Sequence, residues 1–215
     1  MRVLEKTLRI LFFLFVRAVV LVILGMNVRR RELLPRSGPA IIVANHNSHL
    51  DTLVLMSLFP LHLLSRIHPV AAAEYFMARR PLAWFATRIM NIIPLIRNRA
   101  SKSFDPLEPV GAALNKSDII IVYPEGTRGE PEKLAQFKRG IAHLAQRYPQ
   151  IPVVPIFLHG LGKALPKGET LLVPFFCDVL VSEPLYFADS KSAFMEMINE
   201  RFARLAAEGN FRDWS

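Results

Sequence analysis

At 215 residues the chain suits one domain with a sizeable apolar core, and its single cysteine, Cys177, excludes an intrachain disulfide framework. Apolar residues make up 52% and the mean hydropathy is +0.27, high for a domain surrounded only by water, so part of the surface is expected to face something else. The formal charge of +9 sits in the first half, where residues 1–36 hold eight Lys/Arg against two Asp/Glu and residues 62–102 hold seven against Glu74 alone.

A half that is basic and apolar together fits an anionic membrane surface, where each nearby Lys or Arg contributes about 1 kcal/mol. Nucleic acid is not expected as a partner, because the arginines interleave with long aliphatic runs and no nucleic-acid motif is present. Residues 1–36 read as a separate membrane-associating helical segment, with residues 37–215 as the domain that carries the chemistry. Ile10 to Val28 contains one charge, Arg17, in nineteen residues, long enough to span a bilayer at about 1.5 Å per residue. A central Arg disfavours the span, and the expected arrangement is interfacial or re-entrant, with Arg17 snorkelling to the headgroups and Arg29, Arg30 and Arg31 against phosphates.

From Pro39 onward short apolar runs alternate with amphipathic stretches. Strands are predicted at Ala40 to Ala44, Val70 to Ala73, Asn91 to Leu95, Ile119 to Tyr123, Val153 to Leu158 and Phe175 to Val181. Helices are predicted at Asp51 to Leu58, Pro81 to Met90, Pro106 to Asn115, Leu134 to Arg147 and Ser192 to Ala207. Near-continuous Ile and Val runs read as strands covered on both faces, so the fold class is α/β with a mostly parallel central sheet flanked by helices. Prolines 152 and 155 suggest a strand start and a bulge or edge. Between Leu61 and Arg88 the chain is again apolar and basic together, which reads as a second membrane-contact surface and part of a groove wall for Tyr75, Phe76 and Met77, and equally as that or as an ordinary helix packing one face on the sheet for Trp84 and Phe85.

The chemistry concentrates where the first of these strands ends, at Asn45-His46-Asn47-Ser48-His49-Leu50-Asp51. Ser48 is a plausible N-cap, so a strand-to-helix turn brings the Asp51 carboxylate to the His46 imidazole. A carboxylate on one ring nitrogen fixes the tautomer and raises the basicity of the other nitrogen, which makes the pair a general base. Tyr123-Pro124-Glu125-Gly126-Thr127-Arg128 and Ile93-Pro94-Leu95-Ile96-Arg97 are two more apolar runs that end in charge, and parallel sheets place such ends on one crevice. No metal site is expected, since His46, His49 and Asp51 lack Cys or further carboxylates around them. Cys177 reads as a buried thiol in a reducing compartment.

Taken together, Asn45-His46-x4-Asp51, Ile93-Pro94-x-x-Arg97, Pro124-Glu125-Gly126-Thr127-Arg128 and Ile151-Pro152-Val153-Val154-Pro155 resemble the motifs of the glycerophospholipid acyltransferases of the 1-acylglycerol-3-phosphate acyltransferase type. The resemblance spans roughly Gly38 to Leu185. Asn91 and Ile96 depart from it, standing where Gly and Asp are common, so both Arg97 and Arg99 are candidates to face substrate. The resemblance implies direct acyl transfer from acyl-CoA or acyl-carrier protein to a lysophospholipid on the cytoplasmic face of a membrane, without a cofactor. On that footing His46 is the base and Asp51 its orienter, Arg97 and Arg128 are acceptor-phosphate ligands, and Glu125, Gly126 and Thr127 position the substrate. Backbone N–H groups near Asp51 are the expected oxyanion donors.

Overall fold

The structure is a computed structural model that describes residues 2–77, 79–96, 105–129, 133–165, 173 and 175–211. A central sheet carries seven described strands: β1 (Gly25–Arg29), β2 (Ala40–Ala44), β3 (Ile67–Ala72), β4 (Ile93–Leu95), β5 (Ile119–Val122), β6 (Val153–His159) and β7 (Phe176–Val181). Their order is β1-β7-β6-β2-β5-β3-β4. Five strands run parallel; β7 pairs antiparallel with β6, and β1 lies parallel to β7 at the edge. All six expected strands are present, in a largely parallel sheet. Pro155 is not at an edge or bulge but opposite Val43 in a central strand. The ladder to β7 starts one residue later, at Ile156, so the missing N–H interrupts no pairing there.

Helices cover both faces of the sheet. On one side lie α1 (Arg2–Ile23) and α2 (Leu50–Ser57), where Phe13, Val16, Val20 and Leu24 pack with Ile42, Ile121, Val154 and Val179. On the other lie α5 (Glu108–Asn115), α6 (Gly140–Arg147) and α8 (Lys191–Gly209), with Phe194, Ile198, Phe202 and Leu205 of α8 against Ile41, Ile120 and Leu180. The alternation of Ile41, Ile42 and Val43 between the two clusters is the period-two signature of a strand buried on both sides. Three short helices, α3 (Ala73–Phe76), α4 (Arg80–Trp84) and α7 (Leu161–Ala164), follow strand ends or connect them.

Three expectations change. The segment before residue 37 does not stand apart, because β1 extends the sheet and α1 covers it. The helix expected from Leu134 starts only at Gly140. Residues 133–139 instead run back over the β5 loop, where the Lys138 N–H donates to the Pro124 carbonyl at 2.9 Å and Phe137 is buried edge-on to Phe202 at 4.7 Å. Arg17 does not reach outward either. Its Nε donates to the Ser57 carbonyl at 3.0 Å and another guanidinium N–H donates to the Phe59 carbonyl, while Arg31 donates to the Leu58 carbonyl at 3.1 Å. These are the unpaired carbonyls at the end of α2, which cations satisfy with both hydrogen bonds and charge. Arg30 forks onto Glu208 at 2.8 and 2.9 Å, pinning β1 to the end of α8.

Candidate active site

The parallel strands β2, β3 and β5 deliver their carboxyl ends to one edge of the sheet, and a cavity of about 330 Å³ opens there. His46, His49, Thr52, Tyr75, Tyr123, Thr127 and Arg128 line it together with apolar residues from β3.

The β2 end is built by side chains that replace backbone. Asn45 is buried between β2 and β6, donating from Nδ2 to the Leu158 carbonyl at 2.8 Å and accepting the Leu158 N–H at 2.7 Å. The next residue, His46, is thereby pushed out of the ladder toward the cavity. Its Nδ1 lies 2.8 Å from Asp51 Oδ2, and the same oxygen accepts the backbone N–H groups of Asn47 at 2.7 Å and Ser48 at 2.9 Å. Asp51 is fully buried in the first turn of α2. Burial pushes its carboxyl above the usual range, while the His46 hydrogen bond and charge and the two N–H groups pull it back. With an acceptor fixed on Nδ1, His46 carries its proton there and presents Nε2 as the free basic atom. The His46 ring also lies flat on Tyr123, with centroids 4.1 Å apart, and the Tyr123 hydroxyl is 2.9 Å from Thr52 Oγ1. One face and one edge of the base are therefore fixed.

One expectation about this turn is replaced and one is narrowed. Ser48 is not the N-cap; its Oγ accepts the Leu50 N–H at 3.2 Å and donates to the Leu165 carbonyl at 3.0 Å. The N–H groups of Asn47, Ser48, Leu50 and Asp51 are all engaged within the turn, so they are not available to an oxyanion.

The β5 loop comes to the same place. Glu125 is buried, its Oε1 accepts the His46 N–H at 3.3 Å, and the Gly129 N–H donates to the His46 carbonyl at 3.0 Å. Burial foremost, with the charge of Asp51, pushes the Glu125 carboxyl up to about 7. Glu125 Oε2, Asp51 Oδ1 and Asn47 Oδ1 are buried without a hydrogen-bond partner among the described residues. Gly126 turns the loop at φ +76°, and a Cβ there would lie 2.9 Å from Lys138 Nζ, so a side chain would be both strained and obstructed. Gly126, Thr127 and Arg128 follow along the cavity wall. Arg97 and Arg99 lie outside the described residues.

Tyr75 and Phe76 line the cavity, as the groove reading expects, whereas Met77 and Trp84 are exposed and Phe85 packs edge-on against Phe12 of α1. Tyr123, Thr52, Lys138 and the pairing of His49 with Arg128 were not legible as site features. Tyr123 stands beside a recognisable motif, but the others meet it only through the fold. Cys177 is buried, as expected. Among the described residues no group of His, Cys, Asp or Glu is arranged to hold a metal ion.

Comparison with known proteins places most of the chain. It is 31% identical over 182 residues to a mouse 1-acyl-sn-glycerol-3-phosphate acyltransferase alpha, covering 84% of this chain and 61% of the relative. It is also 31% identical over 163 residues to a chloroplastic 1-acyl-sn-glycerol-3-phosphate acyltransferase of Arabidopsis thaliana, covering 75% of this chain and 44% of that protein. The chain thus spans less than two thirds of the length of these relatives. The crystal structure of the 1-acyl-sn-glycerophosphate acyltransferase PlsC from Thermotoga maritima shares the fold with a TM-score of 0.72 at 21% identity, covering all of both chains. The family model described as Acyltransferase matches residues 25–159, which run from β1 through β6 and include both the His46 turn and the Arg128 loop, and the chain belongs to that family.

Proposed function

We propose that this chain transfers a fatty acyl group from acyl-CoA or acyl-carrier protein to the free hydroxyl of 1-acylglycerol 3-phosphate, giving phosphatidate. The observation that carries this is the His46 ring, tied through Nδ1 to a buried carboxylate and open through Nε2 to a cavity that Arg128 also lines. A thioester is already activated, so the protein has to deprotonate the attacking hydroxyl, hold two substrates together and stabilise charge on the thioester oxygen. His46 Nε2 takes the hydroxyl proton as the new C–O bond forms. Collapse of the tetrahedral intermediate breaks the C–S bond, and the proton passes to the departing thiolate. Asp51 stabilises the imidazolium between these steps. We assign no cofactor to this scheme.

Arg128 binds the acceptor phosphate through its planar fork, and Arg97 is assigned the same role from its sequence motif alone. Glu125, Gly126 and Thr127 shape and position the loop that presents Arg128. The acceptor and product are amphiphiles, so the enzyme is assigned to a membrane surface, at its cytoplasmic face. Supporting this, Leu4, Leu8, Leu11, Phe15, Ala18 and Val22 form an exposed stripe at helical spacing along α1, opposite the stripe that faces the sheet. A helix apolar on both sides needs an apolar medium on its outer side. Among the described residues no helix is long and apolar enough to cross a membrane, and the assignment is to the interface.

The test is an acyl-transfer assay with acyl-CoA and acyl-carrier protein against a panel of lysolipids and glycerol 3-phosphate. Thiol release and lipid product with 1-acylglycerol 3-phosphate are expected, falling by about 10²–10⁴ in His46→Ala. Product from other acceptors only would replace the acceptor assigned here, and activity retained in His46→Ala would remove the base.

A further inference from the structure

His49 is absent from the mechanism above, yet it touches the residue assigned to the acceptor phosphate. Arg128 donates from its guanidinium to His49 Nε2, and its Cζ lies 5.7 Å from the centre of the Tyr75 ring. The His49 and Tyr75 rings are themselves 6.3 Å apart, so a histidine, an arginine and an aromatic face converge at the cavity wall. A guanidinium on a loop samples many rotamers unless something holds one of its donors, because a free Arg side chain carries high conformational entropy. The other N–H groups of Arg128 have no partner among the described residues and remain for a ligand.

We propose that neutral His49 is the positioning residue for Arg128, its Nε2 taking one guanidinium N–H and holding the rest of the fork beside the cavity, so that affinity for a phosphate-bearing acceptor depends on His49 being unprotonated. The inference rests on the reading of Arg128 as the phosphate ligand. Only the tautomer protonated at Nδ1 can accept this bond, and a proton on Nε2 both removes the acceptor and sets two cations side by side. The groups that face His49 are Arg128 on the β5 loop, His46 and Asp51 on its own turn and Tyr75 on α3. Partial burial, then the charges of Arg128 and His46, hold the His49 pKa below the usual histidine value, against the opposing pull of Asp51. The neutral, accepting form is therefore present above that lowered pKa and is lost as pH falls through it.

The experiment measures KM and kcat for 1-acylglycerol 3-phosphate in mixed micelles, at saturating acyl-CoA, between about pH 5 and 8. Wild type is compared with His49→Phe, which keeps a ring but cannot accept, and His49→Gln, whose carbonyl can accept but does not titrate. His49→Phe is expected to raise the acceptor KM about tenfold, the loss of one charge-assisted hydrogen bond, with kcat within about a factor of two. His49→Gln is expected to restore the KM near neutrality. It is also expected to lack the part of the acid-side KM rise that wild type shows beyond the phosphate's own titration. An unchanged KM in His49→Phe overturns the proposal, as does an acid limb kept whole in His49→Gln. A wild-type KM that falls in acid overturns it too, by making His49 a cationic ligand in its own right. Equal turnover of a phosphate-free monoacylglycerol, with no variant distinguishing the two acceptors, overturns the underlying reading of Arg128 instead.

Discussion

A buried carboxyl group without enough donors keeps its proton, and Glu125 is in that position. Its Oε1 has the His46 N–H and its Oε2 has no hydrogen bond of good geometry among the described residues, so that burial outweighs the downward pull of the His46 and Ala135 N–H groups and its pKa rises from 4.5 to about 7. The folded chain therefore binds this proton more tightly than the unfolded chain does. The sign follows: stability falls as pH rises from about 4.5 to about 7 and levels off above that. Glu125→Gln keeps the shape and abolishes the titration. Denaturant unfolding should show the variant losing less stability than wild type between about pH 5 and pH 8. Parallel pH profiles for the two proteins would assign the slope to other groups. At this scale the sequence conveyed what is contiguous: His46 and Asp51 sit in one turn and are found together. It did not convey that Tyr123 stacks under the His46 ring or that His49 meets Arg128, because those pairs are 77 and 79 positions apart and only the parallel register of β2 and β5 brings them together.

Among the elements, α1 differs most from its sequence reading. Its length and apolar character are plain in the sequence, but an arginine in an apolar run looks the same whether it snorkels to lipid or caps a neighbouring helix. Here Arg17 closes the end of α2, the helix whose first turn holds Asp51. Arg17→Met, which keeps the aliphatic stem, is expected to lower unfolding stability by about 1–3 kcal/mol while binding to anionic vesicles is retained. Vesicle binding lost at unchanged stability would return Arg17 to the membrane. The strand β1 was unreadable for a related reason: Gly25-Met26-Asn27-Val28-Arg29 continues the helix's apolar run without a turn signal beyond Gly25. Strand cores such as Ile119–Val122 were legible because four β-branched residues in succession fit a doubly covered strand and little else. The shortened α6 shows the reverse case, in which burial of Phe137 overrides a helical pattern.

For the whole molecule, the consequential asymmetry is between the two stripes of α1. The inner one, Phe13, Val16, Val20 and Leu24, is the sheet's cover, and the outer one is bare. Phe12 packs on Phe85, and the exposed Trp84 precedes it, so α1 lies beside the turn that follows α4. The double variant Leu11→Glu/Phe15→Glu is expected to keep its thermal midpoint while its partition onto anionic vesicles falls about a hundredfold or more, from roughly 1.5–3 kcal/mol of apolar burial lost per side chain. A collapsed midpoint would mean that the outer stripe belongs to the fold.

The edge strand sets an order of events in biosynthesis. β1 pairs with β7, and Asn27 meets Asp178 across 151 positions of chain. When α1 leaves the ribosome, the strand beside it has no neighbour and its inner stripe has no sheet to cover. Closure over so long a loop is slow and entropically unfavourable. Until β2, β5 and β6 are made, both stripes of α1 are bare, and β1 itself waits for β7. On the interfacial assignment proposed above, lipid contact at the outer stripe precedes completion of the sheet, and the edge strand is the last part of the segment to be fixed.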